Sequence, residues 1–381
     1  MMPANTSVAT PLAALLAEQI RARGPMTFAD YMDACLYHPH HGYYSRGDVQ
    51  RLADYYTSVD MHPIFGRLLA RQLEEMWRAL GSPVQFDVVE LGAAVGRLAQ
   101  QILDFTAEAL PDLYAAMRYT TVERSAARRA AQQAALANHT ARLVVADDLP
   151  PRIDAGCVLS NEFFDALPVH RVARQDAQQG GELRELYVAL DGHRFVEQPG
   201  PLSSPALAQY FAEQGITLQD GQQAEAGLAA AEWMERIGRA LQRGFVLTVD
   251  YGHEARELYN QRHMRGTLLA YEGHRAAEDW FRAPGVQDLT AHVNFTALDL
   301  SGRKAGLART GLVSQSRFLM ALGRGNEFAD LYQPGQSEVD KLKARLKLKS
   351  LIFPEGMGET FHVLVQHKGI TAPRLTGLEE F

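Results

Sequence analysis

FDVVELGAAVGRLAQQILDF, residues Phe86 to Phe105, reads as strand, tight turn and helix. Phe86, Val88, Val89 and Leu91 form the short apolar, partly β-branched run that a buried parallel strand shows. Gly92-Ala93-Ala94-Val95-Gly96 follows, small everywhere except at Val95. Leu98, Ile102 and Phe105 then recur at i, i+4 and i+7, one apolar stripe of a helix. A strand that turns through small residues into a helix brings backbone close to a ligand at the strand's carboxyl end. The glycine turn by itself also fits a β-α unit with no ligand.

A dinucleotide would be announced by G-x-G-x-x-G, its pyrophosphate resting on the helix N-terminus. Here Ala94 stands for the second glycine and Arg97 for the third, leaving E-x-G-x-A-x-G with Glu90 on the strand. A carboxylate so placed repels a pyrophosphate and suits a cationic ligand such as S-adenosylmethionine (SAM), which has no phosphate. The next acidic strand end, Tyr119 to Glu123, puts Glu123 31 residues after Gly92, against about 20 in dinucleotide folds. Glu123 is the candidate for the ribose hydroxyls. Past a third strand at 141–146, Asp147 and Asp148 are candidates for the adenine amino group, or the start of a turn before Pro150.

The 381 residues are 46% hydrophobic and 22% charged, with a net charge of −7, the composition of a globular protein without general affinity for nucleic acid. Cys35 and Cys157 are the only cysteines, in apolar runs and outside any C-x-x-C pair, so they read as reduced core residues. No apolar run reaches the roughly 18 residues of a membrane helix, so no membrane insertion is expected. No charge precedes Glu18, and on that ground a cytoplasmic protein is expected.

In chain order, the first 85 residues read as a helical cap with a ligand-covering loop. Helices are expected near 12–20, 27–36 and 64–80, around HPHHGYYSRGD at 38–48. The histidines His38, His40 and His41 match no metal-ligand spacing, and no metal is expected. Tyr44, Thr57 and Ser58 belong to the aromatic and hydroxyl-rich loops that could close on a cofactor. From 86 to 369, strands at 86–91, 119–123, 141–146, 158–160 and 244–252 alternate with helices, which predicts an open, doubly wound, mostly parallel α/β sheet. Insertions are expected at 171–225, with an Asp191-Gly192 hairpin, and at 253–293. Residues 312–315 and 361–366 read as a closing strand pair. KLKARLKLK, residues 341 to 349, reads as a solvated basic helix, and 370–381 as a tail.

With these motifs in place, the chain resembles the MidA-type SAM-dependent methyltransferases over about residues 12–369. The resemblance rests on Tyr37-His38-Pro39 with Gly42-Tyr43-Tyr44, on Thr57-Ser58 with Pro63-Ile64-Phe65-Gly66, and on Glu90-Leu91-Gly92 with Gly96. It rests further on SNEFFDALPVH from Ser160 to His170, on Asp250-Tyr251-Gly252 and on Gln287 to Val293. It implies a Rossmann-like fold of the class I methyltransferases with an antiparallel last strand, and SAM as cofactor. It also implies kinship with mitochondrial assembly factors of respiratory complex I that methylate a protein arginine. The chain departs from the family's pattern at Ala93-Ala94, usually Pro-Gly, and at Asp60-Met61-His62, usually Glu-x-Ser.

An arginine acceptor keeps its positive charge, with a pKa above about 12, and needs carboxylates to bind it and orient the attacking nitrogen. Glu162 and Asp165, after strand four, are the candidates, with Asn161 orienting acceptor or cofactor. Asp288 and His292, on the second insertion, stand behind them. The bland alternatives are a helix cap for Asp165 and a structural role for His292. Methylation of a small molecule or RNA, and a non-catalytic binding protein that keeps the fold, remain open alternatives.

Overall fold

The computed structural model describes residues 10–45, 58–175, 181–273, 275–332, 335–353 and 358–380, and the chain folds as two compact units. One holds residues 56–163, 234–251 and 299–381; the other holds residues up to 55, 164–233 and 252–298.

The sheet of the first unit is built from β1 (Phe86–Leu91), β2 (Met117–Val122), β3 (Leu143–Ala146), β4 (Gly156–Asn161), β5 (Gly244–His253), β6 (Ala308–Ser314) and β7 (Phe361–Lys368). Their spatial order is β6-β7-β5-β4-β1-β2-β3. The first five strands run parallel, and β7 is antiparallel to both of its neighbours. This is the doubly wound methyltransferase sheet that the sequence predicts. All six residues of β1 are buried, as a central strand covered on both faces requires. The strand order reverses beside β1, which pairs with β2 on one edge and β4 on the other. Ligands of such sheets bind outside the carboxyl ends at that switch point.

Helix α1 (Ile64–Ala79) and helix α2 (Arg97–Ala109) cover one face, burying Leu69, Leu73 and Met76 from α1 and Leu98, Ile102 and Phe105 from α2. The expected C-terminal tail is in part docked on α1: the Thr376 amide donates to Glu75 at 3.0 Å and the Gly377 amide to Gln72 at 3.2 Å. The helix Phe295–Lys304 ends before β6 starts at Ala308. Gly306, at φ +87°, makes the break.

The second unit gathers the N-terminal helices Pro11–Arg23 and Phe28–Tyr37 with both stretches expected as insertions. Its largest sheet runs Met26–Thr27, Leu183–Asp191, His170–Arg174, Gln223–Ala226, with Arg194–Gly200 added to Leu183–Asp191. Gly192, at φ +62°, closes that hairpin where Asp-Gly marks it. Leu12, Leu16, Phe28 and Met32 form one core with Val188, Phe195, Leu268 and Leu289. The expected N-terminal cap of 85 residues thus divides at 55/56. Periodicity shows which side chains are buried, not which distant segment buries them. Arg171, wholly buried in this unit, bonds Glu197 at 2.6 Å and Glu225 at 2.7 Å, which offsets the desolvation of its charge.

Cys35 and Cys157 are both buried free thiols; burial pushes Cys35 up to about 12 and raises Cys157 as well. Among the described residues no helix is long and apolar enough to cross a membrane, and no cluster of His, Cys, Asp and Glu could hold a metal ion.

Candidate active site

The turn after β1 is held by the neighbouring strand. The Gly92 and Ala93 amides both donate to the Val122 carbonyl, at 2.9 and 3.2 Å. Gly92 is exposed at φ +68°, Ala94 sits at +47° and Gly96 at +85°, so three of five residues turn left-handed. Glycine does this without strain, and alanine does not. The Ala94 carbonyl accepts from Nε2 of Gln132 at 2.7 Å, and Oε1 of the same buried glutamine accepts from Thr121 at 2.7 Å. Gln132 lies on α3 (Ala126–Ala135) and locks the turn to β2. A glutamine within an alanine-rich helix is the sequence signal for this role.

Glu123 bridges the two turns. Its Oε1 accepts from the Ser125 amide at 2.8 Å, and the Ala94 amide also donates to its carboxylate. Burial raises its pKa, opposed by the nearby Arg128 guanidinium. At the end of β3 both aspartates are exposed. Asp148 is held by Nη2 of Arg236, with both oxygens at 2.7 Å, whereas among the described residues no such pairing engages Asp147.

Three side chains expected to face a cofactor are bonded within the protein. Glu90 is buried and accepts from the Tyr119 hydroxyl at 2.7 Å inside the helix-covered face. Burial pushes it up to about 7, so it is not a firm anion at neutral pH. The buried Ser58 hydroxyl donates to Gln315 at 3.1 Å. Tyr44, in the second unit, donates to both oxygens of Asp288, at 2.8 and 3.0 Å. Thr57 lies outside the described residues. Asp60, at a departure from the family pattern, pairs with Arg97 at the start of α2.

The segment after β4 is pinned to β5. The Glu162 amide donates to the Val249 carbonyl at 3.0 Å, and the Phe163 amide to the buried Asp250 carboxylate at 3.2 Å. Glu162 is thereby held at φ +51°, a left-handed conformation that costs a non-glycine residue energy and marks functional sites. Nδ2 of Asn161 donates to Oε1 of Glu162 at 3.1 Å, while Asn161 Oδ1 is buried without a hydrogen-bond donor among the described residues. Phe163 and Asp250 entered the sequence reading only as parts of family motifs and not as site residues. An acid closing the apolar run of β5 is the signal that reveals Asp250.

In the second unit Asp165 and Asp288 are both buried, and both raise the Tyr44 phenol, whose pKa is shifted chiefly by its own burial. The Tyr37 and Tyr44 rings lie 5.6 Å apart, and the Tyr37 hydroxyl donates to the Ala166 carbonyl at 3.0 Å. His292 joins a separate group, 5.5 Å from the His253 ring and 6.2 Å from that of His263. Burial and those two rings push His292 down to about 4, so it is neutral at physiological pH.

The glycine turn fits SAM: its flanking strand ends offer the Glu123 and Asp147 carboxylates, which match a cationic, phosphate-free cofactor and its ribose. Comparison with known proteins agrees. Residues 68–313 match the model of a family described as S-adenosyl-L-methionine-dependent methyltransferases. The mouse protein named protein arginine methyltransferase NDUFAF7, mitochondrial, is 30% identical, the match covering 94% of this chain and 85% of that one. The Drosophila melanogaster homolog is 28% identical, over 94% and 86%. A Burkholderia thailandensis methyl transfer protein, crystallised with S-adenosyl-homocysteine, superposes with a TM-score of 0.85 at 32% identity, covering 97% of each chain. The names of the eukaryotic relatives overturn the cytoplasmic expectation, since they are mitochondrial proteins. That expectation had rested on missing charges alone, and a missing signal is no address.

Proposed function

Since the chain belongs to the S-adenosyl-L-methionine-dependent methyltransferases, we propose that its acceptor is an arginine of a protein substrate. The observation that carries this is the pair of buried carboxylates, Asp165 and Asp288, at one tyrosine whose hydroxyl contacts both oxygens of Asp288. Buried carboxylates beside aromatic rings match a planar cation that is always charged. The names of the mouse and fly relatives support the same acceptor.

Bound SAM supplies an electrophilic methyl group on sulfur. The chain's part is to align the nucleophile with it. We assign Gly92, Ala94, Gly96, Glu123 and Asp147 to the cofactor; within the first unit Glu162, held left-handed, and Asn161 are assigned to the acceptor, and within the second unit Asp165 and Asp288. His292, neutral and grouped with two other histidines, serves structure. The acidic chain makes RNA a poor acceptor.

Labelled SAM and a cell lysate test the proposal. Label that stays with protein and is released on hydrolysis as methylarginine is the expected result. Label in RNA, in small molecules or in another amino acid overturns the arginine reading, and no transfer at all points to a binding protein that keeps the fold.

A further inference from the structure

Helix α4 (Glu338–Ile352) carries Lys341, Lys343, Arg345, Lys347 and Lys349 against only Glu338 and Asp340, in a chain whose net charge is −7. Ala344, Leu351 and Ile352 are buried and fix its inner face. The outer face is also apolar: Val339 is 61% exposed, Leu342 54%, Leu346 57%, and Phe353, just past the helix, 46%. At about 100° per residue the first three fall in one stripe, away from Ala344 and Leu351. Lys343 and Lys347 border that stripe on one side, Arg345 and Lys349 on the other. Lys349 reaches over the Phe353 ring at 5.0 Å. The two acids sit in the first turn, where Glu338 holds Lys341 at 2.8 Å and Asp340 lies 3.9 Å from Lys343, so the positive margin is strongest along the rest of the helix.

Single exposed aliphatics are ordinary, but a helical stripe of them between two basic margins is not. We infer that this face of α4 lies on an anionic phospholipid surface. Charge complementarity selects the occupant: the stems of Lys343, Lys347 and Lys349 can flank the stripe while their heads reach phosphates on either side, whereas the Arg345 head is held by the Tyr332 hydroxyl at 2.9 Å. The stripe runs roughly 20 Å along the helix. Such a helix lies in the interface and does not span it.

The test is co-sedimentation of the full chain with vesicles of mixed phosphatidylglycerol and phosphatidylcholine, and with phosphatidylcholine vesicles alone. Binding to the anionic vesicles only, weakened by salt, is expected. Lys343→Gln with Lys347→Gln should lower the partition about thirtyfold, and Leu342→Gln with Leu346→Gln should abolish it with the charge unchanged. Methyl transfer to a soluble acceptor should stay as in wild type in both variants, which also reports that they fold. Absence of binding, equal binding to neutral vesicles, or leucine variants that bind like wild type would overturn the inference. So would light scattering that shows a dimer undone by the leucine changes, or an acidic protein that binds this face in place of lipid.

Discussion

Gly92 and Phe163 approach so closely that a Cβ built on the glycine would stand 2.9 Å from Cδ2 of the phenylalanine ring. The turn after β1 and the segment after β4 are thus fitted to each other at a residue that we assign to the cofactor. Gly92→Ala meets two penalties, a side chain at φ +68° and the ring. It should cost about 1–2 kcal/mol of stability. It should also shrink the stabilisation by SAM, about 2.7 kcal/mol for wild type at 100 Kd. Phe163→Leu should recover part of the loss in the double variant, as coupled neighbours do. Strict additivity in thermal melts would show that the ring exerts no constraint.

Ala94 pays a smaller penalty of the same kind, at φ +47° in the middle of that turn. Ala94→Gly removes the strain and adds freedom to the unfolded chain, two effects of opposite sign. Relief of the left-handed strain is the larger, so a net gain of roughly 0.5–1 kcal/mol is expected. Chemical denaturation with and without SAM measures it. A variant less stable than wild type would mean that the Ala94 methyl group contributes packing that outweighs the strain.

Glu90 links pH to stability. Burial lifts its carboxyl from 4.5 to about 7, and the Tyr119 hydrogen bond only partly opposes this. The protonated form is favoured in the fold, so its contribution is fully present below about pH 4.5 and is lost as pH rises through 7. Glu90→Gln keeps an acceptor for Tyr119 and cannot ionise. Its stability relative to wild type should improve between about pH 5 and pH 8, by up to about 3 kcal/mol. A gap that stays constant across this range would show that Glu90 ionises normally.

The sheet was legible because its signals are local. Six buried residues precede Gly92, and a polar or turn residue closes or follows each later strand, so a doubly wound, mostly parallel sheet followed from the alternation, while the antiparallel last strand was implied by the family resemblance. The division of the chain was not legible, because Leu12 and Phe28 share a core with Leu268 and Leu289 and no local pattern announces a contact between such distant segments. The site was half legible. Gly92, Gly96 and Glu123 lie where backbone turns at a strand end, which their sequence neighbours dictate. Glu90 and Ser58 were read as ligand-facing from residue type, but a polar side chain's direction depends on partners such as Tyr119 and Gln315 that lie elsewhere in the chain.

Tyr44 gives the sharpest test of the acceptor assignment. Its sequence neighbourhood suggested a cofactor contact, while its hydroxyl is bonded to both oxygens of Asp288, and Asp165 adds to the shift of its pKa. Burial holds that pKa well above 10, so the phenol remains a donor throughout the working pH range. Tyr44→Phe keeps the ring against Tyr37 and removes the hydroxyl that Asp288 accepts from. Losing a hydrogen bond to a charged group costs about 1.5–3 kcal/mol, and this should appear in kcat/KM for the protein acceptor with SAM affinity by calorimetry unchanged. Asp288→Ala removes the acceptor of that hydrogen bond together with the charge, so its loss should be at least as large, and adding Tyr44→Phe to it should lose little more, because the contact is already gone. Should Tyr44→Phe instead weaken SAM binding in proportion to activity, the tyrosine serves the cofactor after all, and Asp288 loses its claim on the arginine.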